Sequence, residues 1–363
     1  MSERQYWLGF NLVKGVGPAR VARLLEVFGS LREAWHANPA ALAGAGLDQR
    51  TLESFEQTRR RFDLGAELAR LDRLGIALFT WDDPEYPVLL SQLRLIDQAP
   101  PVLYVRGTLL ETDEWAITVV GTRSVSAYGR QVTHQLAADM AASGLTIVSG
   151  LARGVDAVAH QAALEAGGRT IALLPCGLDQ IYPPEHRSLA ARIMRSGALI
   201  SIFPLGTTPD AHKFPIRNRV MSGLGRGVLV TEAGDKSGAL LTAGYALEQG
   251  REVFAVPGNI TTRSSMGVNR LIQDGAHPVL SAQDIFEVLK LEHVAEYAAA
   301  REELPDLSAD ERRVLECLSA DPRHVDELAR MCALPVSQVT GALTLLALKG
   351  MIREVGVMTY VRS

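Results

Sequence analysis

Between residues 115 and 290, six short apolar runs (AITVV, LTIVS, TIALL, GALISIF, GVLVT and EVFAVP) alternate with segments of helical texture. The helical segments are GRQVTHQLAADMAASG, VDAVAHQAALEAGG, EHRSLAARIMRSG and SGALLTAGYALEQG. A strand that is apolar throughout, rather than on alternate residues, must be covered on both faces. Strands alternating with helices therefore predict a doubly wound, mostly parallel α/β sheet of Rossmann-like type. In such a sheet the loops after the strand C-termini gather along one edge, where ligands bind. Here those loops read GTRS, GLARG, PCGLD, PLGTTPD, EAGDKSG and PGN. Glycines and isolated polar residues thus converge on one crevice.

Several of these loops are suited to phosphate. Gly121-Thr122-Arg123-Ser124 and Ser149-Gly150-Leu151-Ala152-Arg153-Gly154 each run into a helix start, and Lys236-Ser237-Gly238 does the same. Backbone N–H groups at a helix N-terminus, aided by the helix dipole, attract anions. Neither GxxxxGK[ST] nor a full GxGxxG occurs, which argues against an NTPase or a dinucleotide enzyme. Arginines at 123, 153, 217 and 219 stand in the loops instead, and arginine suits successive phosphates or a phosphate beside a stacked base. The stretch FPIRNRVM is the sharpest case: Arg217 and Arg219 stay charged and flank Asn218 in an otherwise apolar segment. Charge distribution agrees. The chain of 363 residues carries a net charge of −4, yet residues 121 to 230 hold 11 Lys or Arg against 6 Asp or Glu. A basic face on an acidic protein points to a bounded anion site.

No catalytic constellation stands out. Asp156, His160 and Glu165 share one predicted helix without metal spacing or a nucleophile elbow. Asp156 at a helix start and a packed, hydrogen-bonded His160 are the plainer readings. Three cysteines, Cys176, Cys317 and Cys332, form no CxxC pair, so neither a disulfide framework nor a metal is expected. No apolar run approaches the roughly 18 residues of a membrane helix, and MSERQYWLGF has no signal-peptide core, so a cytoplasmic protein without a membrane partner is expected.

The motifs VVGTRSVSAYG, IVSGLARGVDAVAH, GLDQIYPPEH, FPIRNRVMSGL, VLVTEAGDKSGALLTAGYALEQGREVFAVPG and GVNRLIQDGA, in this order, resemble the DNA-processing protein A family, also called Smf. The match runs from about 110 to 285. The resemblance implies a Rossmann-like domain that binds single-stranded DNA, forms a homodimer and helps load the RecA recombinase in natural transformation, without catalysis or a cofactor. It also implies that Arg123, Arg153, Arg217, Asn218 and Arg219 line the DNA pocket. One departure is visible: Ser201-Ile202 stands where the family often has Ser-Glu. Either Arg217 or Arg219 is expected to be structural, while Asn218 and the other point at nucleic acid. Tyr182 and Phe214 are candidate stacking platforms, with core packing as the competing role. The candidate nucleic-acid-binding set is Gly121, Arg123, Ser124, Gly150, Arg153, Gly177, Tyr182, Lys213, Arg217, Asn218, Arg219 and Gly238.

Two other classes stay open. A Rossmann-like nucleotide-processing enzyme of the nucleoside-phosphate hydrolase type would need a glutamate placed at a ribosyl bond. Glu232 follows a strand, but the PGGxGT run of such enzymes is missing. A pure interaction scaffold is the third class.

The flanks divide as follows. Residues 1–65 read as short helices resembling a helix-hairpin-helix or a sterile-alpha-motif-like unit, around VKGVGPARVARLLEVFG. Residues 66–114, with DDPEYPVLL and DQAPPVLYVRG, read as an extended connector packed on the core of the 115–290 domain. Residues 291–306 read as a linker, and 307–363 resemble a winged helix. Its recognition position, 336 to 348, has no Arg, and residues 306 to 363 hold 7 basic and 8 acidic residues. A groove binder needs a positive face, so a protein-interaction role is expected there.

Overall fold

The computed structural model describes residues 3–291, 308–318, 323–332, 334–348, 352–356 and 358–362. The chain forms two units, Met1–Val294 and Ala295–Ser363.

All six apolar runs are strands of one nine-stranded sheet. They are β3 (Ala116–Val120), β4 (Thr146–Ser149), β5 (Thr170–Leu173), β6 (Ala198–Ser201), β7 (Gly227–Val230) and β8 (Glu252–Ala255). Every residue of β3 to β7 is buried, as expected of strands covered on both faces. The sheet order is β1-β2-β6-β5-β4-β3-β7-β8-β9, where β1 is Ala77–Thr80, β2 is Val102–Gly107 and β9 is His277–Pro278. From β6 to β9 the pairing is parallel throughout.

The stretch 66–114 contributes more than a connector. Its runs ALFT and VLYVRG form the edge strand β1 and its inner neighbour β2, and β2 pairs antiparallel with both β1 and β6. Short strands bounded by prolines lack the alternation that marks a strand in sequence.

Helices α8 (Ala127–Ala142), α9 (Val155–Glu165) and α14 (Ala282–Leu289) bury Leu136, Met140, Ala159 and Ile285 against Ile117, Val119, Leu229 and Phe254. On the other face lie α11 (Lys213–Leu224) and α12 (Gly238–Glu248), and the Thr118 hydroxyl donates to the Met221 carbonyl of α11 at 2.8 Å. The N-terminal helices α1 (Arg4–Leu12) to α6 (Leu64–Arg73) join this second core. Phe10, Trp35 and Phe55 make a three-ring contact there, with centroids 5.1–5.5 Å apart.

Strands β4, β5 and β6 extend from β3 on one side and β7, β8 and β9 on the other. The chain changes sides between β6 and β7, through α11. The mouth of the sheet at β3 and β7 is therefore the topological switch point, where open α/β sheets bind ligands.

In the second unit the described helices are Ala309–Glu316, Val325–Cys332 and Val336–Leu348. An antiparallel sheet of β10 (Arg323–His324), β12 (Thr359–Arg362) and β11 (Ile352–Gly356) completes it, in that order. Val314, Leu328, Val339, Leu343 and Leu346 form its core. Of the predicted linker 291–306, residues 292 onward lie outside the described residues.

Candidate nucleic-acid interface

At the switch point a crevice of about 1000 Å³ opens between the loops after β3 and β7, the start of α11 and the segment around Arg263. Its walls include Gly121, Thr122, Arg123 and Ser124 after β3. Gly234, Asp235, Lys236, Ser237 and Gly238 follow β7, with Arg263 and Ser264 beyond β8. Tyr182, Phe214, Arg217 and Asn218 close the remaining side.

FPIRNRVM lies on α11 rather than in a loop, because Pro215 falls in the first turn, where its missing N–H leaves no helical bond unmade. That placement decides the two arginines. Residues two apart on a helix point about 200° away from each other. Arg217 is 4% exposed and donates to the Leu173 carbonyl at 2.7 Å. Arg219 faces out, 4.5 Å from the Tyr245 ring centroid and 3.6 Å from the Glu248 carboxylate, and is not among the crevice-lining residues. Asn218 lies between them and lines the crevice.

The buried Arg217 explains a glycine. A Cβ on Gly150 would sit 1.8 Å from Arg217 Nη1, so only glycine lets the β4–α9 loop pass the guanidinium. Burial pulls the Arg217 pKa down to about 10, and Asp156 opposes that shift. Arg217 therefore remains a cation at neutral pH. Asp156, in the first turn of α9, accepts the Gly150 and Ala152 N–H groups at 3.2 Å. Burial raises its pKa, against the attraction of Arg217 and the two backbone donors. The buried carboxylate thus holds the loop, and the buried guanidinium lies closely against Gly150 within it.

His160 is a packed residue. The Thr170 hydroxyl spends its single proton on the Ile147 carbonyl at 2.6 Å, so His160 Nδ1, 2.7 Å from that hydroxyl, carries its own proton and donates it. Burial lowers the His160 pKa to about 3, with His186 and Arg217 adding to the shift. The ring is neutral at physiological pH and lies outside the crevice lining.

Phe214 is half-buried on the crevice wall. The Arg123 guanidinium carbon lies 5.1 Å from its ring centroid and that of Arg217 5.9 Å away, both within cation–π range. Tyr182 meets it edge-on at 5.8 Å. Arg123 is exposed, and an aromatic pair beside an exposed guanidinium offers stacking and charge together.

The remaining candidates lie elsewhere. Arg153 is exposed and bonds Glu185 at 2.5 Å, away from the crevice lining. Lys213 Nζ donates to the Thr208 carbonyl at 2.7 Å. Gly177 is buried in a tight turn where a Cβ would sit 2.6 Å from the Pro204 carbonyl. Gly121, Arg123, Ser124, Tyr182, Arg217, Asn218 and Gly238 are brought together. Arg263 joins them unforeseen. Its loop follows β8, the neighbour of β7, and that adjacency was the available signal. Among the described residues, no group of three or more His, Cys, Asp or Glu could hold a metal, and no helix is long and apolar enough to cross a membrane.

Comparison with known proteins follows the same lines. The profile of the DNA recombination-mediator protein A family matches residues 77–290, and that of the DprA winged helix domain matches 298–356. Protein Smf of Synechocystis is 34% identical over 99% of both chains. The crystal structure of DNA processing protein A from Streptococcus pneumoniae superposes with a TM-score of 0.68 at 33% identity, over 78% of this chain and 97% of that one. DNA processing protein A from Helicobacter pylori, which has a single-stranded DNA binding mode, matches with a TM-score of 0.53 at 30% identity, over 60% and 96%.

Proposed function

Since the chain belongs to the DNA recombination-mediator protein A family, we propose that its switch-point crevice binds single-stranded DNA and that the protein delivers this DNA, as a homodimer, to the RecA recombinase. The observation that carries the reading is the grouping of exposed Arg123 with Phe214 and Tyr182 at the mouth of the sheet. Arg123, Lys236 and Arg263 supply exposed positive charge, and the loop entering α12 supplies N–H groups for phosphate oxygens. Tyr182 and Phe214 offer faces on which any base stacks, so the site should bind without sequence preference. Stacked bases must be unpaired, so the site prefers a single strand over a duplex. Arg217 acts from below, as a buried charge anchored on the Leu173 carbonyl that adds to the positive potential. The binding of single-stranded DNA by the Helicobacter pylori relative supports this reading.

The hydrolase alternative needs a carboxylate free to attack. Glu232 is 3% exposed, its Oε2 accepts the Ser126 N–H at 2.9 Å, and it is not among the crevice-lining residues. That supports a binding protein without turnover.

Fluorescence anisotropy with a labelled oligothymidylate tests the proposal, with unlabelled single strand and matching duplex as competitors. The single strand should displace the probe at far lower concentration. Equal competition by duplex would refute the stacking site. Release of base or phosphate from nucleoside monophosphates, abolished by Glu232→Gln, would instead establish the hydrolase.

A further inference from the structure

We infer that Glu232 is a positioning residue for Arg123: it clamps the β3–α8 loop at both ends and so fixes the cation that meets DNA. The inference rests on the single-strand reading of the crevice. Glu232 follows β7 by two residues and is buried. Its main-chain carbonyl accepts the Thr122 N–H at 2.7 Å, and its side-chain Oε2 accepts the Ser126 N–H at 2.9 Å. These two bonds bracket Arg123-Ser124-Val125 within one residue on either side. Thr122 is held further by Val155, whose N–H donates to the Thr122 carbonyl at 3.1 Å.

Two glycines of GTRSVSAYG follow from this clamp. A Cβ on Gly129 would fall 2.0 Å from Glu232 Oε2, while one on Gly121 would fall 2.5 Å from Val155 Cγ2 and 2.8 Å from the Glu232 carbonyl oxygen. Gly121 at the start of the loop and Gly129 in the first turn of α8 thus leave room for Glu232. The carboxylate also sits at the N-terminus of the sixteen-residue α8, capped by Ser126, where negative charge is favoured. It occupies the place a bound phosphate takes at the first helix of many Rossmann-like sheets. The N–H of Ser126 is spent internally, and the loop directs Arg123 outward over Phe214 instead. Nothing else in the crevice calls for a buried carboxylate there, because Glu232 does not line it.

The salt dependence of oligothymidylate binding tests the role, since a purely structural loss would lower stability and leave the slope alone. Each phosphate contact contributes about 0.7 to the log–log slope for a single strand. Arg123→Ala should lower the slope by about 0.7. Glu232→Ala, folded by circular dichroism, should lower it equally, and the double variant should lose nothing more. Glu232→Gln keeps an acceptor for Ser126 and should retain the wild-type slope. If Glu232→Ala does not fold, Ser126→Pro decides. It deletes the donor at a residue whose φ of −72° suits proline, and should reproduce the Arg123→Ala slope, whereas Ser126→Ala, which loses only the cap on the Gly129 N–H, should keep the wild-type slope. A wild-type slope in the folded Glu232→Ala or Ser126→Pro variant overturns the clamp, as does an additive double variant. If Arg123→Ala itself leaves the slope unchanged, the DNA reading of the crevice falls and this inference with it. A lowered Arg123→Ala slope beside an unchanged Glu232→Ala slope sinks the clamp alone.

Discussion

The crevice of the large unit and the helix Val336–Leu348 of the C-terminal unit are the two places where the folds would seat nucleic acid, and their chemistry is opposite. In the crevice, Arg123, Lys236 and Arg263 surround an aromatic wall, and their backbones are held by glycine loops at strand ends. The helix has no arginine or lysine, and two of its three hydroxyls bond their own helix: Thr340 donates to the Val336 carbonyl at 2.8 Å and Thr344 to the Thr340 carbonyl at 2.9 Å. Val336 and Leu345 are exposed on the same helix. Side chains that bond their own helix read no phosphate. The difference teaches that a nucleic-acid fold becomes a nucleic-acid site only where cations are both present and unspent. By that test the helix Val336–Leu348 lacks what a phosphate contact needs.

The contrast extends to stability, where the largest effect is expected. Asp156→Ala removes the buried acceptor of the Gly150 and Ala152 N–H groups and the negative charge that offsets buried Arg217, and leaving a buried charge uncompensated costs about 3 kcal/mol. The melting temperature of the large unit should fall by about 10 °C. Gln338→Ala, on the exposed face of the C-terminal helix, should stay within about 0.5 kcal/mol. Comparable losses in differential scanning calorimetry would erase the distinction between a braced site and a plain surface.

A pH effect of intermediate size belongs to the crevice side alone. His160 has a folded pKa of about 3 against 6.5 in the unfolded chain. Between those values the unfolded chain binds the extra proton, so stability is present above pH 6.5 and is lost as pH falls. The loss by pH 5 is about 2 kcal/mol. Asp156, whose pKa is raised, works in the opposite direction in the carboxylate range. The difference between wild type and His160→Gln isolates the histidine: the variant should be less sensitive to acid. Parallel stability curves for the two from pH 7 to 5 would contradict the buried neutral ring.

The smallest effect is expected from removing the C-terminal unit. Deleting residues 306–363 should leave oligothymidylate affinity within a few-fold, because that segment holds 7 basic and 8 acidic residues and no charged recognition helix. A loss of two orders of magnitude would make this unit part of the DNA site.

Much of the fold was legible because all six doubly covered strands are continuous apolar runs. β1 and β2 were not, since ALFT and VLYVRG are short, lie among prolines and pair at an antiparallel edge. The loop glycines and Arg123 were legible as a phosphate-binding pattern. The partners that take charges out of play were not: Glu185 for Arg153, and Tyr245 with Glu248 for Arg219, are distant in sequence. The opposite fates of Arg217 and Arg219 follow from helical periodicity, once 213–224 is known to be α11.

The central claim is that unspent cations of the crevice, and not arginines in general, hold the DNA. A salt titration of oligothymidylate binding tests it with two double variants of equal charge. Arg123→Ala with Lys236→Ala removes two crevice cations and should lower the log–log slope by about 1.4, weakening all sequences alike. Arg153→Ala with Arg219→Ala removes two cations that face Glu185 and Glu248 and should leave the slope at the wild-type value. The reverse pattern, an unchanged slope in the first variant and a fall of about 1.4 in the second, would move the DNA out of the crevice.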